Sequence, residues 1–308
     1  MPATTARNST NVRSCIRLAT LRLVFRLGAV LQPGATVRRA GALFCTPLPS
    51  TRQRARATTT GDARIGEIRH DGERLRTYAW GDPASEPYVL FAHGWSSHGT
   101  RFLQWVAPLR AAGFAVVAFD QPAHGHSSGR RATLPRFTGA LRAVGDHFGP
   151  AAAVVGHSLG GAATAAALAG GMAAARAVLL APAADPVDAS LRFARYVRLP
   201  ERLCRRMIAG FESRLGVAFD AFQAHRMAPR IGCPALVVHD LQDTEVPWAE
   251  GERYARHWPQ SRLLSTRGLG HNRLVDDSRV IDAVLCFLRG GCVGERVVSS
   301  PNLPFGVC

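Results

Sequence analysis

The sequence predicts an α/β fold, an open and mostly parallel sheet with helices on both faces. Three observations carry that prediction. Five short apolar runs, YVLFA (88–92), AVVAF (115–119), AAVVG (152–156), AVLLA (177–181) and ALVVH (235–239), have the length and continuity of strands buried on both faces. Stretches with helical apolar spacing accompany them at 100–112, 134–148, 159–170, 248–257 and 276–289. A hairpin opens the series: IGEIR (65–69) and RLRTYAW (74–80) flank HDGE, with Asp71-Gly72 at the turn. RLLST (262–266) is a further, less apolar strand candidate. Strand and helix alternating after a hairpin is the pattern that right-handed parallel crossovers produce.

Around this body the chain divides into a basic extension and linker (1–62), the α/β domain (63–290) and a tail (291–308). Residues 189–230 break the alternation, being helical in composition and rich in Arg without a clear strand. A long insertion on the loop side of such a sheet reads as a small helical cap over the site, with plain surface helices as the alternative. The Ala-rich run 159–175 is too short and too weakly apolar to span a bilayer and reads as a buried core helix.

The net charge is +16, and every basic residue is Arg; there is no Lys. The first acid is Asp62, and ten Arg precede it. A basic excess can serve nucleic acid or anionic lipid, but no aromatic interleaving or nucleic-acid motif accompanies it here, so no nucleic-acid partner is expected. Seven Cys at irregular spacings, with no C-x-x-C, argue against a disulfide framework or zinc site and fit a reducing, cytoplasmic setting.

In the extension, RSCIRLATLRLVFRLGAVL (13–31) is interrupted by Arg17, Arg22 and Arg26, which argues against a spanning helix or a signal peptide. These bases recur at intervals of four and five, and the expectation is that they share one side, leaving Ile16, Leu23, Phe25 and Leu27 to the others. Weak membrane-surface contact is one reading; a helix packed on the domain, a loose extension and an organellar transit peptide are the others.

The strongest chemical signal is Gly156-His157-Ser158-Leu159-Gly160, a G-x-S-x-G that closes an apolar strand and opens a helix. A side chain at the apex of so sharp a turn is forced into strained backbone angles, and glycines two before and two after let strand and helix approach. Ser158 then projects above the carboxyl edge of the sheet, where open α/β sheets bind ligands. The Leu159 N–H, without an acceptor inside its own helix, faces the developing charge.

With this elbow and the loops around it, residues 64–290 resemble the α/β-hydrolase superfamily, in its lysophospholipase-like or esterase-like branch. The resemblance implies a mostly parallel eight-stranded sheet, a Ser-acid-His triad and no metal or organic cofactor. The loop Phe91-Ala92-His93-Gly94-Trp95 is similar to the family's HG-x loop, which makes the Trp95 N–H the second oxyanion donor and gives His93 a structural hydrogen bond. FDQPAHGHSSG (119–129) resembles a family turn whose Asp, here Asp120, is structural. Asp243-Thr244-Glu245-Val246-Pro247 resembles the family's acid loop, D-x-x-V-P, and selects Asp243 over Asp240, Glu245 and Asp185. Gly268-Leu269-Gly270-His271 matches the base loop and makes His271 the base. His239, at a strand end, reads as structural.

A serine hydrolase acting on a carboxylic ester or thioester of a small acyl molecule is the expected function. Acyl transfer or carbon–carbon cleavage on the same triad is the rival, and a non-catalytic ligand-binding relative is the third. Ser at the elbow argues against dehalogenase and epoxide-hydrolase relatives, which carry Asp there. Phe193, Tyr196, Phe211, Phe219 and Phe222 in the insertion suggest an apolar acyl group, or simply its packing.

Overall fold

The computed structural model describes residues 4–297. Eight strands form one sheet: β1 (Arg64–His70), β2 (Glu73–Trp80), β3 (Tyr88–Ala92), β4 (Ala115–Phe119), β5 (Ala153–His157), β6 (Ala177–Leu180), β7 (Ala235–Asp240) and β8 (Ser261–Thr266). Their order is β1-β2-β4-β3-β5-β6-β7-β8. β2 runs antiparallel to β1 and β4, and every other pairing is parallel. The five continuous apolar runs are the five central parallel strands, and every residue of those strands is buried. At the hairpin, Asp71 and Gly72 both have positive φ (49° and 73°), as a turn matching strand twist requires.

By packing, the chain forms two compact units, one made of residues 1–45 and 186–221, the other of 46–185 and 222–308. The second unit holds the sheet. One of its cores places Phe91, Phe102 and Trp105 with Val280, Val284 and Phe287. Another sets Leu90, Val117 and Val154 with Leu141 and Val144 of the helix Leu134–Phe148.

Three elements of this unit differ from the sequence expectation. Residues 46–62 are not plain linker, because Ser50–Ala57 is a helix whose Thr51 and Ala55 are buried. The polar stretch is held from outside: Arg52 donates to the carbonyls of Gly125, Ser127 and Gly129. The start of the tail is also pinned, since Leu263 and Glu295 exchange backbone hydrogen bonds of 2.7 Å and Arg262 donates to the Val293 and Gly294 carbonyls; residues 298–308 lie outside the described residues. Residues 222–230, read with the insertion, belong to the sheet-bearing unit, where Ala224, Met227 and Ala228 pack with Leu179 and Val237.

The first unit joins two segments far apart in sequence. The helices Thr4–Leu31 and Pro33–Phe44 share one core with Pro186–Val197 and Glu201–Leu215. Phe25, Ala29 and Ala40 are buried there with Ala194, Leu203, Met207 and Phe211. The extension is therefore neither loose nor a separate domain. The Arg residues of the long helix do not share one side: Arg22 donates to the Tyr196 carbonyl and lies over its ring, whereas Arg17 and Arg26 are exposed on opposite flanks. Phe25 likewise points into the core, unlike Ile16, Leu23 and Leu27. Phe193, Phe211 and Phe219 pack this same interior rather than standing free.

Among the described residues, no helix is long and apolar enough to cross a membrane, and no cluster of His, Cys, Asp or Glu is arranged to hold a metal ion.

Candidate active site

The loops leaving the carboxyl ends of the strands carry the candidate site residues. β5 ends in the elbow, where Ser158 adopts φ 55° and ψ −121° at the N-terminus of the helix Leu159–Ala169. Its N–H reaches the Leu180 carbonyl (2.9 Å), fixing the strained residue to β6. The flanking glycines are needed for space rather than for φ. A Cβ on Gly160 would overlap the Ala92 carbonyl oxygen, and one on Gly156 would sit 2.5 Å from the Gly160 oxygen. Gly94 faces the elbow closely as well; a Cβ there would lie 2.9 Å from the Ser158 Cβ. Strain is concentrated on this edge. Of six non-glycine residues with positive φ among the described residues, four follow successive strands: Ser96, Ala123, Ser158 and Ala181. Such backbone costs on the order of 1–3 kcal/mol per residue and persists where surrounding structure holds it.

The loops after β7 and β8 bring the two expected triad partners, Asp243 and His271, together. Asp243 Oδ2 lies 2.7 Å from His271 Nδ1, with the Asp243 side chain fully buried and that of His271 nearly so. Asp243 Oδ1 accepts the Glu245 and Val246 N–H groups at 2.8 and 2.9 Å. Burial pushes this carboxyl up, but the hydrogen bonds from His239, His271 and the Val246 amide outweigh it and hold it well below the usual carboxylate range. An ionised Asp243 accepts only, so Nδ1 of His271 carries the proton and Nε2 is left with a lone pair. Gly268 (φ 79°) and Gly270 (φ 62°) shape the approach of this histidine.

Each runner-up carboxylate has other work. Asp240 ties down the base loop, accepting from the Leu269 N–H (3.0 Å), the Thr266 hydroxyl (2.8 Å) and the Gln242 N–H (2.9 Å). Glu245 accepts from the Asn272 amide at 2.7 Å. Asp185 is engaged by Gln223 and Arg253.

Two histidines that the motifs did not single out complete this half. His157 Nε2 donates to the His271 carbonyl (3.1 Å), and the two rings stand 4.8 Å apart, which couples the base loop to the residue before Ser158. Desolvation in full burial, with His271 adjacent, pushes His157 down to about 3. His239 Nε2 donates to the Val246 carbonyl (3.0 Å) and lies 3.3 Å from Asp243 Oδ2. The strand-end position of His239 was legible; its partnership with the acid was not.

The other half is a clasp between the loops after β3 and β4. His93 Nε2 accepts the Gln121 N–H (2.9 Å), so its Nδ1 carries the proton and donates to the Gly94 carbonyl (2.7 Å). His124 mirrors it: Nε2 accepts the Ser96 N–H (3.0 Å) and Nδ1 donates to the Pro122 carbonyl (2.9 Å). Both rings must be neutral, and burial pushes His93 down to about 3 and His124 to about 4. Trp95 is seated between them and the helices, its ring 5.1 Å from His124 and stacked on Phe137, in one apolar cluster with Leu159. Asp120 is structural. It accepts from the Gly99 and His126 N–H groups and from the Tyr78 hydroxyl at 2.7–2.9 Å, and Gly125 leaves room for its carboxyl.

A cavity of about 540 Å³ opens at the opposite, amino-terminal edge of the sheet, against Pro87, Ala151, Ala174, Ile231 and Cys233; no candidate site residue lines it.

Strand order, elbow and acid–base loops define an α/β-hydrolase fold. The family model described as "Serine aminopeptidase, S33" matches residues 83–221, and solved α/β hydrolases share the fold of this chain. A pimeloyl-[acyl-carrier protein] methyl ester esterase of Chromobacterium violaceum is 35% identical over 188 residues, 59% of this chain and 66% of that protein. The dihydrolipoyllysine-residue acetyltransferase component of an acetoin cleaving system of Cupriavidus necator is 42% identical over 93 residues, 29% of this chain. The chain thus spans only 24% of the length of that acetyltransferase component. Among solved structures, an esterase from Rhodococcus sp. superposes with a TM-score of 0.57 at 21% identity, covering 74% of this chain and 98% of that one, a likeness of fold.

Proposed function

We propose that this protein is a serine hydrolase that cleaves a carboxylic ester or thioester of a small acyl molecule through an acyl-enzyme on Ser158. The observation that carries the reading is the buried Asp243–His271 pair at 2.7 Å, with the His271 carbonyl accepting from the ring Nε2–H of His157, the residue preceding Ser158. In this reading His271 Nε2 takes the Ser158 proton as Oγ attacks the acyl carbonyl, and Asp243 stabilises the imidazolium that forms. The N–H groups of Leu159 and Trp95 hold the oxyanion. His271 then returns the proton to the departing alcohol or thiol, and water activated by the same nitrogen releases the acid. These steps need no metal or organic cofactor. The similarity to a methyl ester esterase supports an ester carbonyl as the target.

Labelling with a fluorophosphonate probe tests the assignment. The protein should take up one equivalent of probe, Ser158→Ala should take up none, and its ester turnover should fall by about 10⁴-fold or more. Labelling that survives in Ser158→Ala would overturn it. The 93-residue similarity to an acetyltransferase component favours acyl transfer as the second reading. Product analysis with and without an acceptor alcohol separates the two.

A further inference from the structure

The long first helix is apolar on two opposite sides. One side, with Leu21, Phe25 and Ala29, faces the core of its own unit. On the other, Ile16, Leu23, Leu27 and Val30 recur at the spacing of a single helical stripe, and each is between 54% and 77% exposed. Leu31, at the end of the same helix, is 76% exposed. Scattered exposed apolar residues need no explanation, but a continuous stripe of them marks a surface made for covering.

The charges beside the stripe say what covers it. Arg17 and Arg26 point in opposite directions around the helix axis, one on each flank of the stripe, and Arg38 and Arg39 on the following helix are also exposed. Residues 1–61 contain no acid, and the whole unit carries fourteen Arg against four Asp and Glu. An aliphatic stripe bordered on both sides by long cationic side chains fits the boundary of an anionic bilayer. There the stripe enters the acyl region while the guanidinium groups stay level with the phosphates. A polyanion such as nucleic acid would use the Arg but leave the aliphatic stripe in water. A second copy of this chain would bring the same positive charge to the interface.

We propose that the outer face of the helix Thr4–Leu31 docks this protein on anionic membrane surfaces, lying in the interface without spanning it.

Flotation of the purified 308-residue chain with vesicles tests this. It should float with vesicles of phosphatidylcholine and phosphatidylserine, remain behind with phosphatidylcholine alone, and lose much of its binding in high salt. Leu23→Glu with Leu27→Glu should reduce partition by more than about tenfold, because it removes buried apolar area and adds repelled charge. Both sites are exposed, so the melting temperature and the hydrolysis of a water-soluble ester should not change. Arg17→Gln with Arg26→Gln, which leaves the stripe intact, should weaken binding to the anionic vesicles as well. No flotation at low salt overturns the proposal, as does flotation that the leucine variant leaves intact. It is equally overturned if the wild-type chain is a dimer in solution that the leucine variant splits, since the stripe is then covered by a second copy.

Discussion

Asp240 and Asp243 stand three residues apart and do different work. Asp243 accepts from Nδ1 of His271, so Asp243→Asn should cut kcat for an ester by about 10⁴-fold, a loss in turnover far out of proportion to its loss in melting temperature. Asp240→Asn removes the anchor of Leu269 and Thr266, and both melting temperature and kcat should fall. If the two variants behaved alike in thermal melts and steady-state kinetics, the division of labour would be wrong. At this scale the sequence was most legible where a residue sits in a local motif. Ser158, Asp243 and His271 are each framed by Gly or Pro that the chain itself displays. The roles of His157 and His124 were hidden because each is defined by a backbone group far along the chain, the His271 carbonyl and the Ser96 N–H.

Strands and helices are legible almost to the residue where the apolar pattern is strongest, in the buried strands and the amphipathic helices. The runs 88–92 and 115–119 are β3 and β4, and 134–148 and 248–257 are helices at those bounds. The helix Ser50–Ala57 was missed because its composition is polar and its anchors, the carbonyls that Arg52 reaches, come from a turn some seventy residues later. The clasp between the loops after β3 and β4 has a consequence in acid. His93 and His124 titrate at about 3 and about 4 when folded, against an ordinary value of 6.5. Between those values the unfolded chain binds more protons, so this stability is fully present above pH 6.5 and is lost as the pH falls toward the folded values. The depressed carboxylates Asp120 and Asp243 add their loss only lower, below the ordinary 3.8. Thermal melts should therefore decline from about pH 6.5 to pH 4; a flat midpoint across that window would show that the clasp does not require neutral rings.

For the whole molecule, the sequence drew the extension and the insertion as separate pieces, and the structure gives them one core. No local pattern records such a partnership, because each segment shows only its own apolar face. Deleting residues 1–45 should strip Phe25, Ala29 and Ala40 from Met207, Phe211 and their neighbours. The shortened chain should bind a hydrophobic dye and lose soluble yield relative to the full one. If it stayed monomeric and dye-free, the shared core would contribute little.

That shared core also sets an order of events during synthesis. The long helix is made well before the residues that complete its unit, which begin only at position 186. At about 5–20 residues per second, the helix waits on the order of ten seconds with both greasy sides bare, while the first six of the eight strands are being made. A nascent chain in that state is a client for whatever shelters apolar helices, and its yield should depend on that shelter more than on the pace of sheet formation.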